Sequence, residues 1–255
     1  MILVTGASSG LGAGFARRFA ARGQDVVLVA RRKDRLAALA ADLEREHGVT
    51  AEVVVSDLAR PWAPAELAAE LGDRGLVVTG LVNSAGFGTA GPFGTEDPSR
   101  VADEIQVNVA ALTVLTRLLL PQVVAARGVL VNVSSNASHQ PIPGIAVYAA
   151  TKAYVTSLTE SIWQETRGTG VKVLALCPGP TATEFFAAAG SETFKVGPVA
   201  TADEVLDAAF AVLDRRDPGP VLTVGARNRL QGWVARVAPR RMRLAVAAGI
   251  MGGAR

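Results

Sequence analysis

Seven short runs of aliphatic and β-branched residues constrain this chain more than any other feature. They are Ile2–Thr5, Asp25–Ala30, Ala51–Ser56, Gly80–Asn83, Val129–Val133, Val171–Leu176 and Val221–Val224. Each run is nearly continuous in apolar character instead of alternating. A strand that is apolar on both sides must be covered on both sides, as strands of a parallel sheet are. Between the runs lie longer stretches with helical spacing: Leu11–Arg22, Lys33–His47, Pro64–Gly72, Pro98–Ala126, Tyr148–Arg167 and Ala202–Asp214. Thr201, followed by Asp203 and Glu204, reads as an N-cap with acidic residues in the first turn. This alternation predicts right-handed crossovers and one doubly wound α/β sheet with helices on both faces. No repeat, linker or low-complexity tract divides it. The longest irregular connection, Pro178–Val199, is expected to be a binding loop or lid.

Composition narrows the classes. Hydrophobic residues make up 49% of the 255 and charged ones 19%, which supports a buried core and excludes disorder. The single cysteine, Cys177, rules out an intrachain disulfide, and its spacing from His47 and His139 does not suggest a metal site. A net charge of +3 is too weak to imply nucleic acid. The first residues run straight into a glycine loop, which leaves no room for a signal peptide, and no membrane span is expected. A cytoplasmic protein is the expectation.

The loop after the first run reads Thr5-Gly6-Ala7-Ser8-Ser9-Gly10-Leu11-Gly12, and a helix follows. Glycines there let backbone approach a pyrophosphate closely, and the helix N-terminus offers free N–H groups to the anion. Gly6, Ser8, Ser9, Gly10 and Leu11 are the candidate contacts. The second run ends in Arg31-Arg32, where folds that bind NAD usually place a carboxylate for the ribose 2′-hydroxyl. A guanidinium pair attracts a 2′-phosphate instead, so the reading favours NADP(H).

Read together, Thr5-Gly6-x3-Gly10-x-Gly12, Asn83-Ser84-Ala85-Gly86, Asn108, Ser135, Tyr148-x3-Lys152 and Pro178-Gly179 resemble the short-chain dehydrogenase/reductase family. The intervals from Asn108 to Ser135, Tyr148 and Lys152 are 27, 13 and 4 residues, which match the family's spacing. The resemblance covers roughly residues 1–225. It implies a Rossmann-type sheet of seven parallel strands in the order 3-2-1-4-5-6-7. It also implies that Asp57 and Leu58 contact the adenine, and that Asn83, Ala85 and Gly86 run beside the adenosine ribose. Pro178, Gly179, Thr181 and Thr183 resemble the segment that holds the nicotinamide carboxamide and phosphates. Ser84 departs from the family, which most often has a second Asn there. Gly6, Arg31, Asp57, Asn83–Gly86, Ser135 and Pro178 fall at or just past the C-terminal ends of predicted strands, where open α/β sheets bind ligands.

Reducing a carbonyl needs a hydride at carbon and a proton at oxygen. Tyr148 and Lys152, four apart on a predicted helix, share a face, and a nearby ammonium is expected to lower the phenol's pKa. Such a phenol can donate or accept the proton. Ser135 would hydrogen-bond the substrate oxygen, although Ser134 beside it is an alternative. Asn108 falls on an apolar stripe with Val101, Ile105, Leu112, Leu115 and Leu119, so its amide must find buried partners. The resemblance implies that it holds a water linked to Lys152.

Phe87, Phe93, His139, Ile142, Ile145, Phe185 and Phe186 are expected to face the substrate, and none carries a fixed charge. A neutral, apolar ketone, aldehyde or alcohol follows. The catalytic domain is read as residues 1–226 and the remainder as a basic amphipathic tail. Seven arginines and no acidic residue follow Asp217, and Pro239 splits the tail into two helical candidates. Such a stretch can fold back on the domain, pack on a second subunit or lie on anionic lipid. The resemblance also implies a homo-oligomer paired through the two long helices. An NAD(H)-dependent dehydrogenase, or a cofactor-sensing protein without catalysis, remain the rival readings.

Overall fold

In the computed structural model, which describes residues 1–189, 193 and 197–252, all seven apolar runs are strands. They are β1 (Ile2–Thr5), β2 (Val26–Ala30), β3 (Ala51–Val55), β4 (Gly80–Asn83), β5 (Val129–Val133), β6 (Lys172–Cys177) and β7 (Val221–Thr223). They form one sheet in the order β3-β2-β1-β4-β5-β6-β7, and every neighbouring pair is parallel.

The continuous apolar character has a direct cause. Alternate residues of each strand feed different layers. Val4, Leu28, Val131 and Leu174 pack on one side with Phe15, Leu36, Leu43 and Phe210. Leu3, Val27, Leu81 and Leu130 pack on the other with Leu67, Leu71, Leu115 and Leu119. The first layer is covered by α1 (Gly10–Ala20), α2 (Lys33–His47) and α8 (Ala202–Leu213). Thr201 and Glu204 close a reciprocal cap on α8. The second layer is covered by α3 (Ala63–Asp73), α5 (Leu112–Ala125) and α6 (Ala146–Glu165), while α7 (Phe185–Ala189) lies in the connection after β6. Full burial of each such side chain is worth about 1.5–3 kcal/mol.

The single helix expected over Pro98–Ala126 is interrupted. α4 (Pro98–Ile105) is joined to α5 by a wide π-helical turn, Gln106–Ala111. A π turn adds a residue and rotates what precedes it, and such turns recur at functional sites. The expected stripe is therefore broken: Ile105 is 45% exposed, and Glu104 is buried in its place. Taken as one run, Pro98–Ala125 is long and apolar enough to cross a membrane, contrary to expectation, but Ala111, Leu115, Leu119 and Val123 pack into the core.

The tail forms α9 (Ala226–Val237) and α10 (Arg240–Gly252), parted at Pro239 as anticipated. Arg255 lies outside the described residues.

Candidate active site

The loops at the C-terminal edge of the sheet enclose a cleft of about 830 Å³. Its first wall is the turn between β1 and α1. Gly6 has φ +68°, and a Cβ there would stand 2.9 Å from the Ala85 amide nitrogen. Gly10 has φ +53°, and a Cβ on Gly12 would run into the Gly6 carbonyl. Thr5 Oγ1 accepts from the Ser84 and Ala85 amides at 3.0 and 3.1 Å, which ties this turn to the one after β4. Ser9 precedes α1 without capping it by its side chain, so the helix presents open N–H groups to the cleft. A cradle this tight, at a helix N-terminus, fits a pyrophosphate.

At the end of β2, Arg32 donates to Ser8 Oγ from Nε at 3.1 Å and from Nη2 at 2.9 Å. Its Nη1 donates at 2.7 Å to Glu184, which also pairs with Arg35. The two guanidinium groups hold the Glu184 carboxyl down to about 2. Arg31 lines the cleft too. Two arginines and a serine hydroxyl make a donor set suited to a phosphate monoester. Asp57 and Leu58 line the same end, with Asp57 Oδ1 accepting from the Ala59 amide at 3.2 Å.

The opposite end holds the polar chemistry. Ser135 starts a short 3-10 turn (Asn136–His139) after β5, its Oγ accepting from the Ala137 amide at 3.1 Å. It also hydrogen-bonds the Tyr148 hydroxyl. Ser134 faces away, its Oγ on the Lys152 carbonyl at 2.8 Å and on Thr156 at 2.7 Å, which separates the two serines. Tyr148 and Lys152 are both buried, one turn apart on α6, and Lys152 donates to the Val133 carbonyl at 2.9 Å. Burial lowers Lys152 to about 8. The phenol differs from expectation. Burial pushes its pKa well above the ordinary value, and the hydrogen bond with Ser135 only partly opposes this. Tyr148 is therefore a neutral proton donor in the free protein.

Asn108 sits in the π turn one layer behind the cleft. Its Nδ2 donates to the Phe87 carbonyl at 2.8 Å and to Thr151 at 3.2 Å, and its Oδ1 accepts from the Phe87 amide at 3.2 Å. Both amide hydrogens are engaged, so a link to Lys152 would have to use Oδ1 or the backbone carbonyl.

The sequence profile of the short chain dehydrogenases matches residues 1–193. The chain belongs to the short-chain dehydrogenase/reductase family. Serine 3-dehydrogenase of Agrobacterium fabrum is 36% identical over 190 residues, covering 72% of this chain and 73% of that one. A short-chain dehydrogenase from Sphingobium yanoikuyae, solved in complex with NADPH, superposes with a TM-score of 0.82 at 36% identity over 92% of both chains. The bulky-bulky ketone specific alcohol dehydrogenase of Comamonas testosteroni gives a TM-score of 0.77 at 31% identity over 92% and 91%. Members of this family interconvert alcohols and carbonyls. The relatives' substrates range from serine to bulky ketones, so the pocket and not the family selects the substrate.

In this family member most anticipated residues line one cleft: Gly6, Ser8, Ser9, Gly10, Leu11, Arg31, Arg32, Asp57, Leu58, Ala85, Gly86, Ser135, Tyr148, Lys152, Pro178, Gly179, Thr181 and Thr183. Asn83 is a correction. Its side chain is buried in the sheet and off the cleft lining, with Nδ2 donating to Thr116 at 3.0 Å and to Asn132 at 2.9 Å. Phe93 is a second, being 68% exposed and outside the cleft. His139 lines the cleft with its Nε2 3.1 Å from Thr223 Oγ1.

Sequence reasoning missed Glu184, which no spacing distinguishes, and left open whether the tail folds back on the domain, packs on a second subunit or lies on lipid. Leu230, Val234, Met242 and Val246 all line the cleft, so the tail folds back over it. The lining also carries Arg100, Asp103 and Arg243, so it is not free of fixed charge.

Proposed function

We propose that this protein is an NADP(H)-dependent carbonyl reductase, reversible in principle, with Tyr148 as general acid and base. The observation that carries the reading is the meeting of Ser135, Tyr148 and Lys152 in the cleft that the glycine turn also walls. Bound nicotinamide supplies the hydride. Ser135 donates to the carbonyl oxygen, where negative charge develops. Tyr148 gives its proton to that oxygen, and the Lys152 ammonium stabilises the phenolate that remains. Asn108 holds the Phe87 backbone beside Lys152. Gly6, Ser8, Ser9, Gly10 and Leu11 form the pyrophosphate cradle, and Arg31 and Arg32 take the 2′-phosphate. Asp57, Leu58, Ala85 and Gly86 serve the adenosine half, and Pro178, Gly179, Thr181 and Thr183 the nicotinamide half.

Phe87, Ile142, Phe185 and Phe186, with Leu230 and Met242 of the tail, support a neutral, apolar carbonyl substrate. A second reading has its own support. Arg243 lines the cleft, and its buried Nε has no hydrogen-bond partner among the described residues, which favours a substrate with an anionic group remote from its carbonyl. Exposed Val114 and Leu118 on α5, with Tyr154 on α6, support pairing of two copies through these helices.

Tyr148→Phe tests the reading. Turnover of carbonyl substrates should fall to background while NADPH binding, followed by fluorescence, is largely retained. Turnover near wild type in this variant excludes the assignment.

A further inference from the structure

The first helix of the tail is inverted relative to an ordinary surface helix. Leu230, Trp233, Val234 and Val237 follow one another on α9 at the spacing i, i+3, i+4, i+7, which places them on one face. A soluble domain turns such a stripe toward its core. Here it faces out: Leu230, Trp233 and Val237 are 62%, 63% and 63% exposed, and Val234 is exposed as well. The inward side is made of Asn228, Gly232 and Ala235. Asn228 accepts from Asn136, Ala235 is buried, and a Cβ on Gly232 would come within 2.8 Å of the His139 ring. α9 thus fits closely onto the 3-10 turn after Ser135 by its small and polar side. Its large apolar side has no cover among the described residues.

The second helix continues this surface. Arg243 Nη1 donates to the Ala235 carbonyl at 2.6 Å, which ties α10 to α9. Met242 and Val246, one turn apart on α10, are exposed, and with Leu230 and Val234 they also line the cleft. The uncovered apolar surface therefore reaches the rim of the cleft. Arginines border it. Arg227 and Arg229 on α9, with Arg240 and Arg241 at the start of α10, are exposed. At about 100° per residue, Arg227 and Arg229 stand on opposite flanks of the α9 stripe. None of these four enters an ion pair among the described residues, and no acidic residue follows Asp217.

We propose that α9 and α10 form a docking surface for an anionic lipid bilayer, with the rim of the cleft turned toward it. Leu230, Trp233, Val234 and Val237 enter the boundary between headgroups and acyl chains, where a Trp ring is well placed, being apolar in body with one N–H. Arg227, Arg229, Arg240 and Arg241 pair with the phosphates and carboxylates of the headgroups, while their aliphatic stems lie along the apolar stripe.

Charge selects lipid over a second copy of the chain. A two-fold pairing of this surface with itself would set its arginines against the same arginines, with no carboxylate in the segment to neutralise them. An anionic bilayer supplies both things that the surface lacks, an apolar phase for the stripe and negative charge for its borders.

The test sediments the full chain with vesicles of phosphatidylcholine alone and of phosphatidylcholine mixed with phosphatidylserine. The protein should bind the mixed vesicles far more strongly, and added salt should weaken that binding. Its tryptophan emission should move to shorter wavelength on the mixed vesicles, and Trp233→Phe, which removes one of three tryptophans, should remove the shift. Arg240→Gln with Arg241→Gln should lower partitioning about 30-fold, at about fivefold per arginine. Trp233→Ser with Val237→Ser should lower it by at least about tenfold. Should either pair fail to fold, the emission shift and its loss in Trp233→Phe carry the decision. Failure to sediment with the mixed vesicles overturns the proposal. Equal binding by the wild type and both pairs overturns it by placing the contact elsewhere on the chain. Binding that needs the arginines but not Trp233 and Val237 is adsorption by charge alone and overturns it too. A dimer that forms without lipid and dissociates in the Trp233→Ser, Val237→Ser pair assigns the stripe to a second copy, with the same consequence. Sedimentation requires no turnover, so each of these outcomes is independent of the reading of Tyr148 and Lys152.

Discussion

The Lys152 ammonium nitrogen lies 5.7 Å from the centre of the Tyr148 ring. Its burial lowers Lys152 to about 8, whereas the phenol is raised. Both groups therefore carry their protons at neutral pH. Reduction needs a proton on Tyr148 and a cation beside it, so kcat/KM should be level up to about pH 7 and fall roughly tenfold per unit above about 8. A profile for reduction that climbs through that range would contradict this assignment.

Arg32 divides its donors between Ser8 and Glu184. A charge-assisted contact to a phosphate is worth about 1.5–3 kcal/mol. Arg32→Ala should raise the KM for NADPH by about 10- to 100-fold and barely change that for NADH. Arg31→Asp should shift the ratio of kcat/KM further toward NADH. Equal losses with both cofactors would show that these arginines do not read the 2′-phosphate.

Gly86→Ala inserts a methyl group between Asn108 and Lys152, 2.9 and 3.4 Å from their polar atoms. Displacing a catalytic group by about 1 Å can cost about 10²-fold in rate. Turnover should drop by roughly that factor while the thermal midpoint moves by only a few degrees. Unchanged turnover would mean that the ammonium has room to spare.

Arg243 decides between the two substrate readings. Arg243→Met should leave neutral ketones nearly unaffected. If anionic keto substrates are the natural ones, it should raise their KM at least about tenfold, in line with loss of one charged hydrogen bond. A panel of neutral and acidic carbonyl compounds, followed by NADPH absorbance, measures both outcomes.

The sheet was legible because strands covered on both faces leave an unusual composition. Strand ends were placed within one residue, and those of α1, α3 and α6 within two. Ser135, Tyr148 and Lys152 could be picked out because their intervals match those of the short-chain dehydrogenase/reductase family, although only the Tyr148–Lys152 interval follows from helix geometry. The π turn was not legible, since no residue type marks an inserted residue. Continuing the 3.6-residue period through it selected Ile105 and overlooked Glu104. Asn83 was misplaced for a related reason: it ends a strand, and its orientation there depends on Thr116 and Asn132, which are remote in sequence. The raised phenol pKa was beyond reach as well, because spacing shows that an ammonium is near but not how completely water is excluded.

Asn228, at the start of α9, accepts from Asn136 Nδ2 at 3.3 Å and donates to the Val224 carbonyl at 2.8 Å. The first of these bonds clips the tail to the turn that begins at Ser135, and the second ties it to the chain just after β7. The shared family profile ends at residue 193, well before this clip. The cleft wall is thus partly made from a segment that the family profile does not match. On the function proposed above, a change in that segment would alter which carbonyl fits without altering Ser135, Tyr148 or Lys152.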